Sequence, residues 1–335
     1  MKKLMNGVET MLAESLDGFA AAYADIVTLG EDRKFVRRRT LKPGKVALIS
    51  GGGSGHEPLH AGLVGHGMLD AACPGQVFTS PTPDQMLAAA EAVDTGAGVL
   101  FIVKNYEGDV MNFDMAAEMA GDMGAEIAIV TTNDDVAVED STYTTGRRGV
   151  AGTMIVEKVV GAAAEAGMDL AELKALGDRV NGKTRSMGVA LTSCTVPAAG
   201  KPTFSLGEDE MEMGVGIHGE PGRKRVQLQD AFGIADEMIS AILGDLGDLG
   251  SWRSDGMLLL VNGFGGTPLM ELYVMYNAAR TLLEGRALSV SRSLVGNYVT
   301  SLDMAGCSLT VTLLDEEIVR YWDAPVHTAG LRWGM

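Results

Sequence analysis

The stretch VALISGGGSGHEP, residues 46–58, runs from a short β-prone segment into Gly51, Gly52, Gly53 and Gly55, then His56 and Pro58. A strand that meets a glycine turn ahead of a helical stretch is the opening of a βαβ unit. Its bare N–H groups suit an anion or a polar oxygen at a helix N-terminus. Neither common nucleotide loop fits: no lysine follows the glycines as GxxxxGK[ST] requires, and His56 stands where GxGxxG needs its third glycine. Two readings of the segment remain, a plain glycine turn or a histidine at a strand's carboxyl end placed for proton transfer on a small ligand.

Outward from this segment the pattern alternates. The strand-like runs GVLFIV (98–103) and EIAIV (126–130) are separated by the helical PDQMLAAAEAV and NFDMAAEMAGDM, which predicts a mainly parallel sheet. Helical signals dominate 149–182 and close a first domain. Toward the N-terminus, Met11, Leu12, Leu16, Phe19 and Ala20 recur at helical spacing and predict a helix over about residues 7–28. The basic run Arg33, Lys34, Arg37, Arg38, Arg39 reads as a solvated face that could also meet an acidic partner. A second set of strands follows: MGVALTS (187–193), an apolar strand through MEMGVGIHG that ends at His218, MLLLVNG (257–263) and CSLTVTLL. The tail, apolar at Trp322, Leu331 and Trp333, is expected to fold back onto a domain. The expected architecture is α/β with two α/β domains, mainly parallel or mixed sheets and a ligand pocket between them. The first domain takes residues 1–183 with the tail 315–335, and the second takes 184–314.

The chain of 335 residues carries 27 Lys and Arg against 44 Asp and Glu, a net charge of −17, so a nucleic-acid backbone or an anionic membrane would be repelled. No apolar run approaches the roughly 20 residues of a membrane-spanning helix, and Glu9, Glu14 and Asp17 interrupt any signal-like core. These features point to the cytoplasm. The three cysteines, Cys73, Cys194 and Cys307, have no CxxC spacing and predict neither disulfides nor a metal knuckle. No His/Asp/Glu cluster has metal-ligand spacing.

Two further constellations could carry chemistry. In VKNYEGDVMNF, Lys104, Asn105, Glu107 and Asp109 crowd the carboxyl end of a strand, where open α/β sheets bind ligands. Asp109 reads equally as a helix N-cap or a base. Lys104 reads as a phosphate or carbonyl contact, or as a Schiff-base nucleophile. In MGVGIHGEPG, His218 lies among Gly216, Gly219 and Gly222. It reads either as a core histidine or as an exposed imidazole able to attack a carbonyl carbon. His60, His66 and His327 read as ordinary surface or packing residues. QVFTSPTPDQM, with Thr79 and Ser80, and VNGFGGTP read first as turns leading into helices.

Taken in order, SGGGSGHEP, GQVFTSPTPDQM, VKNYEGDVMNF, TTGRRGVAGT, GVGIHGEPG and VNGFGGTP resemble the dihydroxyacetone-binding subunits of the dihydroxyacetone kinase family over nearly the whole chain. The resemblance implies that His218 holds the ketone carbon as a hemiaminal, that His56 and Asp109 act on the hydroxyl to be phosphorylated, and that Gly53, Ser80 and Lys104 surround the ketone. It further implies that this chain binds no cofactor of its own. ATP/ADP and Mg²⁺ then belong to a separate nucleotide-binding L subunit, recharged from phosphoenolpyruvate through a phosphoryl-donor M subunit, and the chain forms a homodimer. Three other functions stay open: a catalytically silent dihydroxyacetone sensor or coactivator, a kinase for a related short ketose, and a Schiff-base lyase using Lys104.

Overall fold

In the computed structural model, which describes residues 2–138, 144–220, 222–247 and 256–335, the chain divides into two compact units. The first takes residues 1–132, 153–179 and 320–335, and the second takes 133–152 and 180–319.

The first unit holds β1 (Val27–Leu29), β2 (Val36–Arg38), β3 (Ala47–Ser54), β4 (Gly65–His66), β5 (Ala71–Val77), β6 (Val99–Lys104) and β7 (Ile127–Thr132). Its helices are α1 (Met11–Ala22), α2 (Pro83–Val93), α3 (Glu107–Asp122), α4 (Gly152–Glu165) and α5 (Leu170–Gly182), the last two reaching a few residues past the unit's bounds. The sheet order is β1-β2-β5-β3-β6-β7, with β5, β3, β6 and β7 parallel and β1 and β2 antiparallel at one edge. Every residue of β3 and β6 is buried, as strands of a parallel sheet covered on both faces are, which explains the apolar runs ALI and VLFIV within them. Gln85 reaches back to the Thr82 N–H and Pro83 takes the first helical position, which starts α2 where the sequence turns helical. One core joins Ile49, Phe101 and Val103 of the sheet to Met86, Ala90 and Val93 of α2 and Phe113 of α3.

The second unit holds β8 (Thr184–Ala190), β9 (Glu210–Met213), β10 (Lys224–Gln227), β11 (Met257–Gly263), β12 (Val290–Gly296) and β13 (Gly306–Leu313), with α6 (Ala231–Leu246) and α7 (Leu269–Gly285). Its sheet, β10-β9-β8-β13-β11-β12, is antiparallel except between β11 and β12. Met238, Ile239 and Ile242 of α6 and Leu272, Ala279 and Leu283 of α7 cover one face of it. After α8 (Glu316–Asp323) the tail, part of the first unit, forms β14 (Val326–Thr328) and β15 (Arg332–Trp333), with β14 pairing both β15 and β4. Trp322 and Trp333 lie 5.4 Å apart, and the buried Lys158 ammonium sits 5.4 Å from the Trp333 ring. Among the described residues no helix is long and apolar enough to cross a membrane.

Four expectations need correction. The first helix ends at Ala22 rather than near residue 28, because Tyr23 leaves helical geometry and Val27–Leu29 pair with β2. The basic run is not a free solvated face: Arg33 pairs with Asp17, Lys34 with Asp84, and the buried Arg38 with Asp70 and Glu165. Gly51, Gly52 and Gly53 belong to β3 itself, and a short 3-10 turn (Ala61–Leu63), not a full helix, follows them. The strand expected to end at His218 stops at Met213, where Gly214 takes a φ of +81° and turns the chain out of the sheet.

Phe101 is fully buried and meets Phe113 edge-on at 5.2 Å. Phe101→Ala should destabilise the protein by roughly 3–5 kcal/mol through lost burial and the cavity left behind. Urea unfolding of the purified variant measures it.

Candidate functional site

In the first unit the polar residues collect at the carboxyl ends of β3 and β6 and the first turn of α3. Lys104 ends β6 fully buried, and its Nζ donates toward Gly51 O at 3.3 Å, Asp109 Oδ2 at 3.3 Å and His60 Nε2 at 3.1 Å. An ammonium has three hydrogens, so these three partners use them all. The close approach explains the glycines: a Cβ on Gly52 would stand 2.2 Å from Lys104 Nζ, one on Gly51 2.6 Å from Cys73 O, and one on Gly53 2.6 Å from the Thr79 nitrogen.

Asp109 is the third residue of α3, whose N-cap is Tyr106, so it is not the cap. It is 3% exposed, with one oxygen on Lys104, while Oδ1 makes no hydrogen bond among the described residues. A buried carboxylate oxygen without a donor is costly unless a ligand supplies one. Ser80 lies against the same turn, since a Cβ on Gly108 would come within 2.8 Å of its Oγ, and Asn112 Nδ2 holds the neighbouring Pro81 carbonyl at 2.8 Å. The fully buried His56 stacks on Phe78 with ring centroids 5.0 Å apart. His56, Gly53, Lys104, Asp109 and Ser80 thus share one region of the first unit. A cavity of about 350 Å³ under α1 touches Gly52, Gly53 and His60 but not His56, Lys104, Asp109 or Ser80. The polar side chains, not this largely apolar hollow, define the candidate site.

His60 was expected to be an ordinary surface or packing residue. It is buried, and its Nδ1 lies 2.7 Å from Glu157 Oε1 of α4. Burial, with Lys104 and His56 nearby, holds the ring well below the usual histidine range, while burial pushes the Glu157 carboxyl up to about 8. Glu157 had a signal in the sequence: it and Lys158 are the only charges in an otherwise apolar helical run, GTMIVEKVVGAAA.

In the second unit His218 lies in the loop after β9, its side chain 14% exposed. The Glu220 carboxylate takes its backbone N–H at 2.9 Å and faces Nδ1 at 3.2 Å. A carboxylate only accepts, so Nδ1 carries the hydrogen. Burial alone would raise the Glu220 carboxyl, but the His218 ring and the Arg148 guanidinium outweigh it and bring it to about 2. Gly216 makes room for this carboxylate, since a Cβ there would meet Glu220 Oε2 at 2.1 Å. Arg148, from TTGRRGVAGT, is itself anchored by Asp135 and the Gly214 carbonyl. VNGFGGTP is structural: Asn262 bonds Val299 O, Ser308 Oγ and the N–H groups of Tyr298 and Val299. No cluster able to hold a metal occurs among the described residues.

Fold and site define an α/β protein with an acid–base cluster at its parallel strand ends and a carboxylate-backed histidine in a glycine loop. Residues 17–330 match the Dak1 domain. The chain is 51% identical to a Listeria innocua protein named PTS-dependent dihydroxyacetone kinase 1, dihydroxyacetone-binding subunit DhaK, over 98% of this chain and 99% of that one. It is 48% identical to the PEP-dependent dihydroxyacetone kinase, dihydroxyacetone-binding subunit DhaK, of Escherichia coli (strain K12), over the full length of both. Among solved structures, the dihydroxyacetone kinase operon co-activator Dha-DhaQ matches with a TM-score of 0.88 at 36% identity, covering 95% of this chain and 96% of that one. The chain belongs to the Dak1 domain family.

Because Glu220 has its pKa depressed from 4.5, its contribution to stability is complete above that value and disappears as pH falls toward about 2. The stability gap between the unaltered protein and Glu220→Gln should therefore shrink by on the order of 3 kcal/mol across that window. Urea midpoints of both proteins through an acid series check this.

Proposed function

We propose that this chain is the dihydroxyacetone-binding subunit of a dihydroxyacetone kinase, and that it holds the ketone covalently on His218 while its hydroxyl is phosphorylated. The observation that carries the reading is the Glu220 carboxylate on His218 Nδ1, which leaves Nε2 as the nucleophile. Nε2 adds to the carbonyl carbon and the C=O π bond opens. The oxygen gains a proton while the ring gives up its Nδ1 hydrogen, so the adduct retains the intact ketone. This selects ketones over glycerol, which has no carbonyl to accept the bond.

At the terminal hydroxyl, Asp109 Oδ1 accepts the proton as the oxygen attacks phosphorus, and His56 assists by hydrogen bond. Covalent anchoring fixes that hydroxyl, and positioning is the larger part of phosphoryl transfer. Gly53 and Ser80 line the ketone, and Lys104 acts on it through Asp109. A Schiff base on Lys104 is disfavoured, because its amine is fully buried and all three hydrogens have protein partners. The phosphoryl group comes from a nucleotide held with Mg²⁺ on a separate L subunit, recharged from phosphoenolpyruvate through an M subunit. The reading makes the chain a cytoplasmic homodimer. The three free thiols suit a reducing compartment, and α7 exposes Leu269, Met270, Tyr273 and Val274, apolar surface suited to a second copy.

A dihydroxyacetone-sensing coactivator is the second reading, supported by the likeness to Dha-DhaQ. The buried Asp109–Lys104 pair favours the kinase, since a sensor needs no open carboxylate oxygen.

Native mass spectrometry should show the chain gaining one intact dihydroxyacetone, with no gain from glycerol and none in His218→Ala. A gain reduced by one water would move the chemistry to a lysine, and an adduct retained in His218→Ala would overturn the assignment. Asp109→Asn should keep the adduct and lower turnover with the nucleotide subunit by about 10²-fold or more. Normal turnover in that variant would remove Asp109 from the base role, and turnover absent from the unaltered chain would favour the sensor.

A further inference from the structure

Asp109, Lys104, His60 and Glu157 form one buried line that starts at the proposed base and ends inside α4. Its hydrogen positions follow from its acceptors. Ser50 Oγ donates to the Ile102 carbonyl at 2.6 Å, which uses its only hydrogen, yet it also lies 3.0 Å from His60 Nδ1. It then accepts there, and the Lys104 ammonium, which can only donate, requires the lone pair on Nε2, so Nδ1 carries the hydrogen, shared with Glu157 Oε1 at 2.7 Å. The opposite nitrogen, Nε2, then offers its lone pair to Lys104 Nζ. Glu157 Oε1 accepts in this way whether or not the carboxyl is ionised, because a proton can reside on Oε2, which has no hydrogen-bond partner among the described residues.

We propose that Glu157 and His60 are positioning residues for phosphoryl transfer. Glu157 fixes the His60 ring, and His60 Nε2 fixes the direction of the Lys104 ammonium, which then holds Asp109 by Oδ2 and presents Oδ1 to the substrate hydroxyl. The inference rests on the kinase reading above. With the ring turned over, Nε2 would carry a hydrogen pointed at an ammonium hydrogen, and Lys104 would have to leave Asp109 or Gly51. The groups that face His60 are Glu157, Lys104, His56 and Ser50, and none but Glu157 and Ser50 can take its Nδ1 hydrogen in this geometry. A buried carboxyl that burial pushes up to about 8 is a standing cost to the fold near neutral pH, which suits a residue kept for function.

The test uses the full chain. Long-range ¹H–¹⁵N spectra of the labelled protein should show His60 neutral and protonated on Nδ1, the minority tautomer of free imidazole, and an Nε2-protonated His60 overturns the proposal. Glu157→Leu should lower kcat with dihydroxyacetone and the nucleotide subunit at least about tenfold, as displacement of a base does. KM and the yield of the His218 adduct should stay within about twofold, since neither depends on the direction of Asp109. Glu157→Gln, which still offers Oε1, should recover most of the loss. A kcat for Glu157→Leu within about twofold of the unaltered chain, or a Gln variant as impaired as the Leu variant, overturns it. If Glu157→Leu fails to fold by circular dichroism, Glu157→Gln and the tautomer decide. An unaltered chain that forms no adduct and shows no turnover removes the kinase reading, and this role with it.

Discussion

The contact on which the first unit's site depends is the Lys104 ammonium between Gly51 O, His60 Nε2 and Asp109 Oδ2. A fully buried ammonium is tolerable only when each hydrogen has an acceptor and a countercharge is close. That condition dictates its surroundings. The strand beside it must have no Cβ where Nζ lies, which makes Gly52 a glycine; a carboxylate must come from the first turn of α3; and the imidazole must turn a lone pair inward. The glycine run is thus shaped by a cation rather than by a phosphate.

That inversion explains which features could be read from sequence. Strands β6 and β11 were legible, because VLFIV and MLLLV are unbroken apolar runs of strand length. His218 stood out through the glycines around it, and Asp109 and Lys104 through the polar crowd after β6. The glycines of β3 were legible as glycines but not as strand. What excludes their side chains comes from Cys73, Phe78, Thr79 and Lys104, and only the folded chain shows that these atoms stand there. Local sequence therefore spoke for a turn where tertiary contacts made a strand.

His60 and Glu157 were hidden for a related reason. Ninety-seven positions separate them, and nothing local to His60 marks it as different from His66, which lies at the surface end of β4. Only the charge of Glu157 inside an apolar helix hinted that α4 reaches a polar interior. Arg38 shows the same limit, since a basic run looks solvated until Asp70 and Glu165 are placed beside it.

The two units use one device for two ends. In each, a glutamate takes a histidine's Nδ1 hydrogen and leaves Nε2 with the lone pair. The environments drive those glutamates apart: Glu220, beside a histidine and Arg148, falls to about 2, whereas burial lifts Glu157 to about 8 against the weaker pull of Ser50 and Lys104. Glu220 is thus an anion throughout the physiological range and, in the proposed adduct, can stabilise the positive ring formed as Nε2 takes up a carbon. Glu157 has no such charge to offer a developing imidazolium, and its histidine has no carbon to meet, because Nε2 is already engaged by Lys104. On the reading proposed above, the same carboxylate–imidazole pair serves as a nucleophile in one unit and as a strut in the other, where Lys104 fills the far nitrogen.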